Sequence, residues 1–135
     1  MTAVLLLAFG GPESLDVVEP FLRNVLVGRP ITPELVERVK KRYELIGGKS
    51  PLPEITRSQA RLLEERLNSS CKVYVGMRYW HPFIKDTVKK IKDDGIKRII
   101  ALPMAAQNSK ASTGGYIDAL NKALEEYAGL DVKVI

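Results

Sequence analysis

Arginines placed beside aromatic residues are the chemically suggestive feature of this chain. They occur as Arg42-Tyr43 and as Arg78-Tyr79-Trp80, with Phe9 and Tyr116 elsewhere and Arg29 near the end of an early helical stretch. A guanidinium offers a planar fork of donors that matches a carboxylate. Aromatic side chains beside it can pack in a core or line a ligand site. The single histidine, His81, and the single cysteine, Cys71, make no cluster with metal-ligand spacing. His81 within Tyr79-Trp80-His81-Pro82 reads as a loop residue that hydrogen-bonds its surroundings.

Gly47-Gly48-Lys49-Ser50 has the ending of a phosphate-binding P-loop. That pattern needs a glycine five residues before Gly48, a strand in front and a helix behind. Tyr43 stands at the glycine position, a helix precedes, and Pro51 and Pro53 follow. The stretch therefore reads as a helix stop followed by a turn. The first apolar run is followed by Phe-Gly-Gly-Pro-Glu-Ser, not the G-x-G-x-x-G of dinucleotide-binding folds, and Pro12 removes an amide that a phosphate would use.

The elements that must position these residues can be read from periodicity. Residues 3–9 form a continuous apolar run, as expected of a strand buried on both faces. Helices are expected over 15–26, with Ser14 as cap and Pro20 either kinking it or opening it, over 33–46 after the start signal Thr32-Pro33-Glu34, and over 54–68. Ile55, Ala60, Leu63 and Leu67 form the apolar stripe of the last. Then come a strand over 72–78, a helix over 82–94 ended by Gly95, a strand within 96–104, a helix over 114–127 and a strand over 130–135. The order βαααβαβαβ predicts a three-layer α/β fold, a parallel sheet with helices on both faces. Ligands bind such sheets at the carboxyl ends of the strands, here the loops 9–14, 77–83 and 103–115, with 27–55 able to fold over the same edge.

At 135 residues the chain is the size of one domain. Its charge is +5, concentrated in residues 84–98, where mixed signs between Ile84, Val88, Ile91 and Ile96 read as the solvated face of a helix. No basic run is interleaved with aromatics, which argues against a nucleic-acid partner. The apolar start has no Lys or Arg before it and reads as a strand, not a signal peptide. One cysteine and no export signal place the protein in the cytoplasm. The sequence stops at its fourth strand, which reads as the front part of a longer protein.

LLLAFGGPES (5–14), RYELIGGKSPL (42–52), GMRYWHPFI (76–84) and STGGY (112–116) occur in this order, and together they resemble the N-terminal half of ferrochelatases. The resemblance covers essentially the whole chain. It implies two Rossmann-like halves with a porphyrin cleft between them, of which residues 1–135 would be the first, a single α/β domain. It implies ferrous iron and a porphyrin, protoporphyrin IX or coproporphyrin III, as substrates, and no resident cofactor. The catalytic histidine and glutamate of the family lie in its second half, so this chain would hold no catalytic or metal residue and be inactive alone. Residue by residue, the resemblance places porphyrin contacts at Phe9, Arg29, Arg42, Tyr43, Ser50, Arg78, Tyr79 and Tyr116. A porphyrin is a flat apolar disc with carboxylates on its edge, and for such a ligand Phe9, Tyr79, Trp80 and Met104 are candidate walls, and Arg42, Ser50, Arg78 and Lys110 candidate rim donors. The sequence departs from the family where Phe9 replaces a tyrosine of some members, and where Leu26 and Val27 stand in place of two arginines before Gly28. Two other readings stay open: a small chelatase that completes its cleft as a homo-oligomer, and a non-catalytic module binding a tetrapyrrole or nucleotide.

Overall fold

The apolar run after Met1 forms strand β1, Thr2–Ala8, and every residue from Ala3 onward in it is buried. In this computed structural model, which describes residues 1–105 and 114–135, β1 is the central rail of the fold. It pairs in parallel with β2 (Lys72–Met77) on one side and with β3 (Arg98–Pro103) on the other, and β3 pairs in parallel with β4 (Asp131–Val134). The strand order is β2-β1-β3-β4.

Alternation along β1 divides the core between two faces. Ala3, Leu5 and Leu7 join Tyr74, Ile99 and Ala101 under two helices, α4 (Ile84–Asp93) and α5 (Gly115–Glu126), which contribute Val88, Ile91 and Leu120. Val4 and Leu6 join Val73, Val75 and Leu102 under α3 (Leu52–Arg66), which contributes Ala60 and Leu63. Both faces are covered, so the expected three-layer α/β architecture is the one observed. Full burial of leucines such as Leu5, Leu6 and Leu7 stabilises by about 1.5–3 kcal/mol each.

A third, smaller cluster forms where α1 (Val18–Val25) packs on α2 (Pro33–Glu44), through Val18, Leu22 and Val36 with Tyr43 against them. Thr32 caps α2 as expected, its Oγ1 accepting from the Leu35 amide at 3.2 Å, with Pro33 next. Gly47 and Gly48 end that helix at φ +102° and +82°, where a side chain would be strained. The GGKS stretch is thus a helix stop, as its context suggested.

Three local expectations are corrected. Pro20 neither opens α1 nor breaks it: Val18 begins the helix, after a 3-10 turn over Leu15–Val17, and the proline occupies the third helical position, where no intrahelical amide is needed. Ser14 precedes the turn but its side chain makes no capping bond. Ile55 is half exposed, because the buried side of α3's first turn is taken by Pro53 and Thr56.

The outer edge of β2 is closed locally. Thr87 Oγ1 donates to the Val75 carbonyl at 2.8 Å, and the Met77 amide donates to the Pro82 carbonyl at 2.7 Å. These bonds satisfy groups that an edge strand would otherwise offer to another chain. Lys85, Lys89, Lys90 and Lys92 lie on the solvent face of α4, as their pattern implied, with ion pairs such as Lys89–Asp93 at 2.7 Å. No described helix is long and apolar enough to cross a membrane.

Candidate functional site

Because the strands run parallel, their carboxyl ends gather the loops after β1 and β2 and the start of α5 at one edge of the sheet. The chain passes from β1 outward to β2 and then crosses back to β3, so the direction of winding reverses there, the usual place for a ligand in such sheets.

Pairing between the first two strands continues past their ends. The Arg78 amide donates to the Ala8 carbonyl at 3.0 Å and the Tyr79 amide to the Phe9 carbonyl at 3.1 Å. These bonds fix Phe9, Arg78 and Tyr79 side by side. The Phe9 and Tyr79 ring centroids lie 4.6 Å apart, and Phe21 of α1 meets Phe9 edge-on at 6.4 Å. The Arg78 guanidinium carbon lies 4.8 Å from the Tyr79 ring centroid, an attractive cation–π placement. Asn24 of α1 donates its side-chain amide to the Tyr79 carbonyl at 3.0 Å and ties the small helical cluster to this loop.

An open pocket of about 630 Å³ lies alongside, lined by Asn24, Val27, Arg78, Tyr79, Phe83 and Gly115 among others. A second, of about 460 Å³, runs between α4 and α5 and shares Arg78 and Phe83 with it. The resulting surface has an aromatic wall and a guanidinium at its margin. It can hold a planar apolar ligand by stacking and a carboxylate through the arginine fork. Phe9 remains 39% exposed although it is a large apolar residue next to a fully buried strand, so its outer face is available for contact.

Of the eight residues carried by the resemblance, the structure brings Phe9, Arg78 and Tyr79 together. Tyr116, the second residue of α5, turns into the core; burial first and the nearby Tyr79 second push its phenol above the ordinary range, with Arg78 opposing, so it lies beneath the array and not on its surface. Tyr43 packs into the α1–α2 cluster, with its phenol raised by burial. Ser50 is buried at the foot of α3: its amide donates to the Pro12 carbonyl at 2.9 Å and its Oγ accepts from the Leu52 amide at 3.2 Å. The two glycine-rich motifs, residues 10–12 and 47–50, therefore clasp each other. Arg29 and Arg42 are exposed, in the turn after α1 and in the last turn of α2.

Among the other candidates, Met104 packs against the α3 face of the sheet, so it serves the core and not the aromatic wall. Trp80 meets His81 edge-on at 5.0 Å, and His81 meets Phe83 at 4.7 Å, so among the described residues the histidine is placed by ring packing. Lys110, with Ser112 and Thr113 of STGGY, lies outside the described residues. Sequence reasoning missed Asn24, Phe83 and Gly115. The first two have no distinguishing local signal; the third was visible only as one glycine of a pair.

Comparison with known proteins places this arrangement in a family. The ferrochelatase family model matches residues 1–135. The ferrochelatase of Herpetosiphon aurantiacus is 45% identical over 130 residues, which cover 93% of this chain and 43% of that protein. The ferrochelatase of Acidobacterium capsulatum is 49% identical over 114 residues, 84% of this chain and 34% of that one. The coproporphyrin III ferrochelatase of Oceanobacillus iheyensis is 39% identical over 129 residues, 92% of this chain and 41% of its own length. The chain spans less than half the length of these curated relatives. With the parallel sheet, the clasped glycine motifs and a match along its whole length, the chain belongs to the ferrochelatase family.

Proposed function

We propose that residues 1–135 are the N-terminal, Rossmann-like half of a ferrochelatase and supply one wall of its porphyrin cleft. The observation that carries this reading is the Phe9–Tyr79–Arg78 array, held by strand-end hydrogen bonds at the carboxyl edge of the sheet. In this reading the reaction is insertion of ferrous iron into a porphyrin, protoporphyrin IX or coproporphyrin III, and iron and porphyrin are substrates, with no resident cofactor on this chain. The macrocycle lies against Phe9 and Tyr79. Arg78 takes a propionate on the rim, and the exposed Arg29 and Arg42 are within the reading as further rim donors. Tyr43, Ser50 and Tyr116 act beneath the wall, by packing.

Each residue then has a physical task. The aromatic rings exclude water from one face of the ligand, and Arg78 orients it by charge-assisted hydrogen bonds. Metallation also requires a base that removes two pyrrole protons. In this reading the proton-accepting and iron-delivering groups belong to a second half of the protein, as the resemblance implies, and the single histidine, His81, packs edge-on with Trp80 and Phe83. A single cysteine fits a reducing cytoplasm.

The test uses Trp80, the one tryptophan of this sequence and the neighbour of Tyr79. Titration with coproporphyrin III is expected to quench its fluorescence saturably, and Arg78→Ala to weaken that binding by roughly tenfold, the worth of one hydrogen bond to a charged group. Saturable quenching with the same midpoint in Arg78→Ala, or no quenching, would contradict the assignment.

A further inference from the structure

The geometry points to Gly115 as a positioning residue: its missing side chain is the space in which the Arg78 guanidinium lies, and this keeps Arg78 stacked on Tyr79. Gly115 is the first residue of α5 and is buried. A methyl built on it would stand 2.5 Å from Arg78 Cζ and 3.1 Å from Nη2, with Nη1 nearer still. Carbon atoms in contact stay about 3.5–4.0 Å apart, so the guanidinium and a side chain at position 115 exclude each other.

The backbone gives no other reason for glycine here. Among the glycines with positive φ are Gly10, Gly28, Gly47, Gly48, Gly95 and Gly129, and Gly115 is not one of them. Its neighbour Gly114 has an ordinary right-handed helical conformation, φ −60° and ψ −40°. Glycine in a helix is less favourable than alanine, so a helical position that tolerates alanine would be more stable with it. The atoms in the way belong to the far end of a flexible side chain and not to the backbone. Alanine at 115 can therefore be accommodated by moving one side chain, and the side chain that moves is Arg78.

Among the described residues the Arg78 guanidinium takes part in none of the ion pairs, and it lies against the Tyr79 ring on one side and Gly115 on the other. A guanidinium fixed between an aromatic face and a helix start has lost its rotamer freedom before a ligand arrives, which lowers the entropic cost of binding one. For its functional part this inference rests on the reading that Arg78 binds a porphyrin carboxylate.

The experiment compares wild type, Gly115→Ala, Arg78→Ala and the double variant in the intact protein. Two readouts are needed. The first is the NMR signal of the Arg78 Nε–Hε group, identified by its loss in Arg78→Lys. Ring currents of Tyr79 displace it in wild type, and in Gly115→Ala it should move to the position of an exposed arginine while the melting temperature stays the same or rises. The second is affinity for coproporphyrin III and for its tetramethyl ester. Gly115→Ala should lose roughly tenfold or more for the acid, as Arg78→Ala does, with no further loss in the double variant and little change for the ester. An unmoved Nε–Hε signal in Gly115→Ala, or losses that add in the double variant, would overturn the positioning role. If Gly115→Ala instead melts lower, the role requires that Arg78→Ala restore the loss, and failure to restore it also overturns the role. If the signal moves as expected but every variant binds the porphyrin like wild type, Gly115 positions Arg78 and the porphyrin assignment is what fails.

Discussion

Gly11→Ala would test the clasp between the two glycine-rich motifs. A methyl on Gly11 would stand 2.5 Å from Ser50 Cβ, with Oγ closer, and 3.7 Å from Pro53 Cδ. Relief to ordinary contact requires the 47–53 segment to retreat by about 1 Å, because carbon atoms in contact stay near 3.5–4.0 Å. Overpacking of this kind costs about 1–3 kcal/mol. The retreat would also stretch the bond from the Ser50 amide to the Pro12 carbonyl, now 2.9 Å, whose loss costs about 1 kcal/mol. A total of about 2–4 kcal/mol is a large share of a domain stability of about 5–15 kcal/mol. At about 3–4 °C per kcal/mol for a chain of this size, the melting temperature should fall by roughly 6–16 °C. Ser50→Gly alone removes the Oγ bond to the Leu52 amide and should cost about 1 kcal/mol. In the double variant the new methyl occupies the space left by the serine side chain, so its loss should be smaller than the sum by at least about 1 kcal/mol. Urea unfolding followed by Trp80 fluorescence measures all four proteins. Additive losses, or a Gly11→Ala change below about 0.5 kcal/mol, would refute the clasp.

Thr87→Val keeps the shape of the side chain but leaves the Val75 carbonyl without its 2.8 Å donor at the edge of β2, and should cost about 1–2 kcal/mol in urea unfolding; a change within about 0.3 kcal/mol would show that the edge does not depend on it. The Tyr74 hydroxyl donates to Asp94 at 2.6 Å, and this bond, helped by Lys72 and Lys90, holds the Asp94 carboxyl below the usual carboxylate range. A carboxyl depressed in the folded state stabilises fully above its unfolded pKa, near about 4, and that contribution disappears as the pH falls through the folded value. The Tyr74 phenol is pushed up by burial first and by Asp94 second, so its contribution is complete below about pH 10 and lost as the pH rises through the raised folded value. Tyr74→Phe should therefore flatten both limbs of a stability–pH profile, and an unchanged acid limb would mean that this hydrogen bond does not hold the carboxyl down.

How much of this was legible in the sequence depends on the range of the interaction. Continuous apolar residues at 3–8, the Thr32-Pro33 start and the Gly47-Gly48 stop act within a few residues of themselves, and the order of strands and helices follows from such local patterns. The three-layer sheet follows in turn, because parallel strands with helical crossovers must be covered on both faces. Contacts between distant segments were not legible in this way. RYELIGGKSPL carries a specific resemblance, yet Ser50 and Tyr43 are mainly packing groups in the fold, and only tertiary placement shows that Ser50 seats on Gly11. Asn24 offers no pattern that would link it to Tyr79, 55 residues later. Periodicity put Ile55 on the buried stripe of α3, but the two prolines and Ser50 at its start rotate Pro53 and Thr56 into that place. Tyr116 had the right type for a ligand contact, and the register of α5 turns its ring into the core.

The measurement that bears most directly on the account is metal insertion, followed by the Soret absorbance of coproporphyrin III with ferrous iron under anaerobic conditions. It compares a protein of residues 1–135 with a protein in which these residues continue into a second α/β half. The account predicts that the longer protein forms the iron porphyrin, that Arg78→Ala in it lowers the rate, and that residues 1–135 bind the porphyrin without turnover. Iron insertion by residues 1–135 alone would contradict it, and would mean that copies of this chain complete the site for one another.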